Sequence, residues 1–318
     1  MASSTSVVLA ALFANGAIAI LKFGGYLLTG SPAMLSETYH SISDTGNQIF
    51  LLIGIKYGAQ EANRTHPFGY GKSQFFYSLL VSIMLFGIAG WESAHHGYDA
   101  LTHGGVHRAA GDVTLLGRTF DPVYVNYAVL IGAIVFETYA LWKAYQGISR
   151  QMDEFGWTSL REAFRKTSDV TTLTALTEDS IALAGAGIAL FGIYLTRATG
   201  NPMYDAASAL IIGLLLMGFA VALAWENKRL IIGESLPKPA EDELRAIVAD
   251  WDGVTELVDF RTVYFGAEEL LVTADVAFDA DLEAEEIDER ITEIERALRD
   301  HDGQVQRVYI EPETQATP

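Results

Sequence analysis

Apolar residues come in six long blocks along the chain, at about 7–28, 33–57, 75–98, 122–146, 171–195 and 205–226. A helix needs ~20 such residues to cross the hydrocarbon core of a bilayer, so the pattern predicts six transmembrane helices. After the segment NKRLIIGESLPKP the period changes. A short amphipathic helix is predicted at about 240–251, strands near 254–265 and 269–278, a charged helix at about 283–300, and a last strand at 304–311. In the charged helix Ile287, Ile291, Ile294 and Leu298 share one face, which leaves its acids as solvated surface. The order αββαβ fits a small α+β sandwich. The predicted fold class is a mainly α membrane protein: six transmembrane helices in residues 1–233, followed by a small cytoplasmic α+β (αββαβ) domain in residues 234–318.

Composition and charge sharpen that division. Half of the 318 residues are hydrophobic, with a mean hydropathy of +0.21. Residues 234–318 carry 24 acidic against 7 basic side chains, whereas residues 1–233 carry 16 against 14. A net charge of -19 disfavours nucleic acid as a partner, because phosphate contacts need clustered Lys and Arg. With no cysteine there is no disulfide framework, thiolate metal site or cysteine nucleophile. The acidic soluble part suggests a salt-adapted prokaryote, since carboxylates keep a surface hydrated where salt screens repulsion.

Topology follows from the loops. Val7 to Leu28 has no basic stretch before it and no small-residue cleavage site after it, and is read as a retained helix. Lys56, Arg64, Lys72, Lys143, Arg150 and Lys228 are among the cations in the connections after the second, fourth and sixth blocks. Those after the third and fifth hold only Arg108, Arg118 and Arg197. The positive-inside rule therefore places both termini in the cytoplasm of a multi-pass protein of the cell membrane.

The second block, MLSETYHSISDTGNQIFLLIGI, is too polar to face lipid all round. At 100° per residue, Ser36, His40, Asp44 and Asn47 form one stripe, opposite Leu35, Ile42, Ile49 and Ile53. A carboxylate at mid-membrane costs about 2.5–3.5 kcal/mol on insertion scales, so such a group is usually functional. His40 and Asp44 lie one turn apart and can grip one ion together. Imidazole with carboxylate suits zinc and its first-row neighbours, while magnesium and calcium favour oxygen-only sites. A structural His–Asp hydrogen bond between packed helices is the plainer alternative. In the fifth block Asp179 shares a face with Thr172, Ala175, Ala182 and Ala186, small residues that allow close helix approach. Glu178 lies about 100° round the helix and reads equally as a ligand, an interhelical hydrogen-bond partner or a solvated edge. Glu137 and Asp205 are further candidates for lining a cavity or a proton path.

These residues, with HSISD, HPFGYGK, TEDSIALAGAGI and NPMYDAASALIIGLLL at their positions, make the chain resemble the cation diffusion facilitator family of divalent-metal transporters. HSISDTGNQ, LTEDSIA and NPMYD resemble most its zinc-transporter-nine-like branch, known from mitochondria and with prokaryotic relatives. The family's transport site takes two ligands from the second span and two from the fifth. Carried onto this chain, that implies His40, Asp44 and Asp179, with Ala175 standing where the family commonly has His or Asp. Tetrahedral zinc wants four donors, and the fourth is left open between Asn47, Glu178 and water. Of the family's accessory site before the third span only His66 is kept, and HPFGYGK reads as a structural turn in which Gly69 and Gly71 supply backbone freedom. His95, His96, His103 and His107 could gather metal, although solvated histidines are the commoner case. The tail holds one histidine, His301, so no tail zinc is expected.

The implied function is secondary active export of a divalent transition-metal cation from the cytoplasm, zinc before manganese, iron, cobalt or nickel, by proton antiport. Protons couple because metal binding requires neutral imidazole and ionised carboxylate. The metal is cargo, and no cofactor is expected. The expected partners are the cation, protons, the lipid bilayer and a second copy of the chain, through a tail that resembles the family's dimerisation domain. The rivals are an intramembrane metalloenzyme, disfavoured because no HExxH occurs, and a metal sensor using the same ligands.

Overall fold

The computed structural model describes residues 4–103, 113–115, 118–160, 163, 170–267 and 269–313. They fall into two compact units. The first comprises Met1–Gly54, Tyr77–Leu160 and Asp169–Asn227, and the second Ile55–Phe76, Arg161–Ser168 and Lys228–Pro318.

The first unit is helical. Helices α1 (Ser4–Thr29) and α2 (Pro32–Gly58) are followed by α3 (Ser73–Met84), which runs through a π-helical stretch, Leu85–Gly90, into α4 (Trp91–His103). A two-stranded antiparallel ribbon, β1 (Val113–Leu115) and β2 (Arg118–Phe120), precedes α5 (Val123–Phe155), α6 (Val170–Thr199) and α7 (Met203–Ile232). Among the described residues five helical segments are long and apolar enough to cross a membrane: Leu12–Thr29, Ser73–His103, Val123–Asp153, Leu176–Thr199 and Met203–Ile232. The second predicted span forms as the 27-residue α2, long enough at roughly 1.5 Å per residue. It falls outside that group because Glu37, His40, Asp44 and Lys56 interrupt its apolar character. Ala33, Met34, Leu85, Leu130, Ile212 and Leu216 form the buried core of this unit. Gly97 and Gly213 let the third span and α7 touch through backbone: a Cβ at Gly97 would clash with Leu210, and one at Gly213 with Ala94.

The second unit carries the αββαβ order. Strands β3 (Val254–Gly266) and β4 (Glu269–Phe278) pair antiparallel, and β5 (Val305–Glu313) pairs parallel to β4. Helices α8 (Lys238–Ala249) and α9 (Ala284–His301) supply Leu244, Val248, Ile294 and Leu298 to a core that also holds Phe260, Val272 and Val308. The N-terminus of α9 is closed by a reciprocal capping box between Glu283 and Glu286. The HPFGYGK segment is a built turn in this unit. Asn63 Oδ1 accepts from the amides of Thr65 (2.9 Å) and His66 (3.0 Å), while Asn63 Nδ2 donates to the Tyr70 hydroxyl at 2.8 Å. The His66 ring lies against Tyr70, centroids 4.2 Å apart. Gly69 has the left-handed φ of 87° that a glycine is needed for. Gly71 serves space rather than freedom, since a Cβ there would sit 2.6 Å from the Phe265 carbonyl oxygen.

Tyr264 points its hydroxyl into this core with no hydrogen-bond partner among the described residues. Burial pushes its phenol up to about 12. Because the folded value lies above the ordinary ~10, folding stability from the neutral phenol is fully present below that pH and is lost as pH rises toward the folded value. Tyr264→Phe should therefore stabilise this unit by roughly 1 kcal/mol at neutral pH, by removing an unsatisfied buried polar group. It should also flatten the alkaline fall in stability. Chemical denaturation of both proteins at neutral pH and above pH ~10 measures this, and a variant less stable than its parent at both would refute it.

Candidate metal-binding cluster in the helical unit

The polarity of α2 sorts into groups that the helix satisfies and groups that it does not. Hydroxyls of Ser36, Thr38 and Thr45 bond back to the carbonyls of Pro32 (3.1 Å), Met34 (2.8 Å) and Ser41 (2.8 Å). A glutamate, imidazole or aspartate cannot close on its own helix in this way. Glu37, His40 and Asp44 are thus left to find partners elsewhere. His40 is 2% exposed, and neither ring nitrogen has a hydrogen-bond partner among the described residues. Its Nδ1 lies 3.6 Å from Asp44 Oδ1, too long for a hydrogen bond but close enough for one cation to be held between them.

Helix α6 brings the second set. Glu178 of α6 is partly buried and lies near Asn47 of α2. Asp179, next to it on the chain, is partly buried, as is Glu137 of α5. The structure therefore sets His40 beside Asp44 and brings Glu178 near Asn47. Among the described residues no three His, Asp or Glu side chains converge on one point at ligating distance. A cation held by His40, Asp44 and Asp179 together would have to draw the facing helices' side chains closer. The side chain of Ala175, on α6 one turn before Asp179, lies outside the described residues.

Two features were not anticipated from the periodicity. The first is an ion pair between Lys22 Nζ of α1 and Glu37 Oε2 of α2, 2.7 Å apart, with side chains 3% and 0% exposed. Lys22 is the one charged residue in Ser4–Thr29, and a lone lysine inside an apolar helix is the signal that could have found it. The second concerns Asp205. Its carboxylate accepts from the Ser31 hydroxyl at 2.9 Å and the Ala33 amide at 3.1 Å, capping the N-terminus of α2. The expected cavity or proton-path residue is thus a buried cap that sets where the second span begins. Asp205→Ala should lower stability by ~1–2 kcal/mol through loss of that cap, with Asp205→Asn lowering it less. Thermal unfolding of the detergent-solubilised protein reads the difference, and equal melting points for all three proteins would refute the capping role.

The remaining histidines sit apart from this cluster. On α4, His95 and His103 lie 3.5 and 3.8 Å from the Asp99 carboxylate, and His96 lies 3.8 Å from Glu92, all substantially exposed. His107 lies outside the described residues. In the second unit the exposed His301 pairs with Glu243 at 3.4 Å.

Comparison with known proteins matches residues 8–232 to the cation efflux transmembrane domain and residues 236–315 to the cytoplasmic domain of cation efflux proteins. The proton-coupled zinc antiporter SLC30A9, mitochondrial, of Mus musculus is 28% identical over 295 residues, covering 91% of this chain and 50% of the relative. Metal tolerance protein C4 of Arabidopsis thaliana is 26% identical over 281 residues, 88% of this chain and 58% of its own length. The cation-efflux pump FieF of Escherichia coli is 25% identical over 246 residues, 76% of this chain and 71% of its own. The chain spans about half the length of the first of these relatives. With the transmembrane match extending over most of its residues and apolar helices to fit, this chain belongs to the cation efflux family of multi-pass membrane transporters, which are not enzymes.

Proposed function

We propose that this chain is a secondary active transporter that exports a divalent transition-metal cation, zinc before its neighbours, from the cytoplasm in exchange for protons. The observation that carries this reading is His40: a buried imidazole, unbonded at both nitrogens and 3.6 Å from a carboxylate of its own helix. Such a group is expensive to keep inside a membrane domain unless a cation visits it. His40, Asp44 and Asp179 supply the donors, and Asn47 and Glu178 the polar contact beside them. The printed names of the relatives, a proton-coupled zinc antiporter and a cation-efflux pump, support the cargo and the coupling. Metal can enter only when the imidazole is neutral and the carboxylates ionised, so each release leaves groups ready to take up protons. No further machinery is needed to link the two fluxes.

Residues 1–233 form the transport domain in this reading, and residues 234–318 a cytoplasmic domain through which two copies associate. Both termini lie in the cytoplasm of a cell membrane. The 24 acidic against 7 basic side chains of the tail suit a salt-adapted host, where screening allows two such surfaces to meet. Purified protein in sealed liposomes with an internal pH dye tests the proposal. Adding zinc outside should move protons in the opposite direction, with competition by other divalent ions ranking the cargo. Zinc uptake with no proton movement would remove the antiport reading, and no cation uptake at all would remove transport.

A further inference from the structure

The Lys22–Glu37 pair is only half satisfied. Glu37 is fully buried and bound through Oε2 to Lys22 at 2.7 Å, yet its Oε1 has no hydrogen-bond partner among the described residues. That oxygen points at α6 where Gly185 has no side chain, and a Cβ there would lie 2.6 Å from Oε1. The space is therefore kept open by a glycine. A half-satisfied buried carboxylate is a poor structural brace, since a buried network stabilises when every member is bonded. Its position on the helix supplies a reason to keep it. Glu37 is three residues before His40, and Asp44 is four after it, so the imidazole stands between two carboxylates on successive turns of one stripe. His40 has two ring nitrogens without partners among the described residues, and Nδ1 is the one 3.6 Å from Asp44, which leaves Nε2 for the other carboxylate.

Resting on the transport reading above, we infer that Glu37 is a second carboxylate of the cation path, sharing His40 with Asp44, and that Lys22 is the tethered cation that holds this carboxylate when the cargo is absent. The metal steps along α2 from the Asp44 side of the imidazole to the Glu37 side. The ammonium of Lys22 yields Glu37 to the dication and takes it back when the dication leaves. Besides coordination and ion pairing the step shifts one proton: the ring N–H leaves Nε2 as the metal arrives there, and Nδ1, freed of metal, takes one up, so the ring stays neutral. Lys22 carries a single charge on a four-carbon stem, which suits a counter-ion that swings rather than one that locks in a fork.

The test separates this from a brace. Lys22→Met with Glu37→Gln removes both charges together, which buried pairs tolerate far better than loss of one partner. The folded double variant, judged by gel filtration and circular dichroism, should bind zinc in equilibrium dialysis within about threefold of the parent yet transport it at least about tenfold more slowly. A double variant that transports at the parental rate makes the pair a brace and overturns the inference. So does one that loses equilibrium binding by more than about tenfold, because Glu37 would then belong to the resting site itself. A second measurement holds whether or not the double variant folds. Lys22→Gln alone leaves Glu37 without its tethered cation, so a dication reaches it without displacing an ammonium, and full-length protein should then bind zinc at least about tenfold more tightly than the parent in equilibrium dialysis. Zinc binding no tighter in Lys22→Gln than in the parent overturns the inference. Failure of the transport reading would show instead in the parent protein, as absence of cation uptake into liposomes.

Discussion

Substituting His40 by alanine should abolish metal-driven proton flux, by ~100-fold or more, while leaving a folded protein. The size of the effect follows from donor chemistry. His40 is the only imidazole on the polar stripe of α2, and without it the site offers oxygens alone, which suit zinc and its neighbours poorly. The survival of the fold follows from the same geometry. Neither nitrogen of His40 holds a protein hydrogen bond among the described residues, so its removal orphans no donor or acceptor. Asp44, 3.6 Å away, keeps its place on the helix. Stopped-flow recording of the internal pH dye after a zinc pulse, with gel filtration to verify folding, measures both parts. Undiminished flux from a folded His40→Ala protein would mean that the cation passes elsewhere.

The second large effect is expected on α6. Asp179→Ala should remove transport, because in the proposed site Asp179 is the ligand that α6 supplies. Glu178→Gln should have the smaller effect: a carboxamide keeps the shape and polarity beside Asn47, so what is lost is charge rather than contact. Ala175→His places an imidazole one turn before Asp179, completing a set of four donors that favours tetrahedral zinc over manganese. A zinc-over-manganese preference raised by about tenfold is the outcome expected from one added nitrogen donor. Competition of the two metals for uptake gives the answer for all three variants. Transport lost in Glu178→Gln but kept in Asp179→Ala, with the metal ranking unmoved in Ala175→His, would reverse the assignment of the two acids.

Much of this was legible in the order of residues. Long apolar blocks can be satisfied only as membrane-crossing helices or buried cores, and the change of period after NKRLIIGESLPKP announced the αββαβ unit, whose β3, β4 and β5 lie where alternation placed them. The stripe of Ser36, His40, Asp44 and Asn47 was readable too, since a helix's period determines which residues share its face. Periodicity does not say what stands opposite that face. Only the packing of α1 against α2 turned Lys22 from an oddity in an apolar helix into the partner of Glu37. Only the meeting of α7 with the start of α2 turned Asp205 from a candidate on a proton path into a cap on Ser31 and Ala33. Glu178 likewise was left open by its angle between a ligand, an interhelical partner and a solvated edge, and the structure puts it near Asn47. In each case a charge in a low-dielectric interior must be met by an opposite charge or a hydrogen bond. The sequence states that this need exists, and which distant residue answers it is decided by how the helices pack.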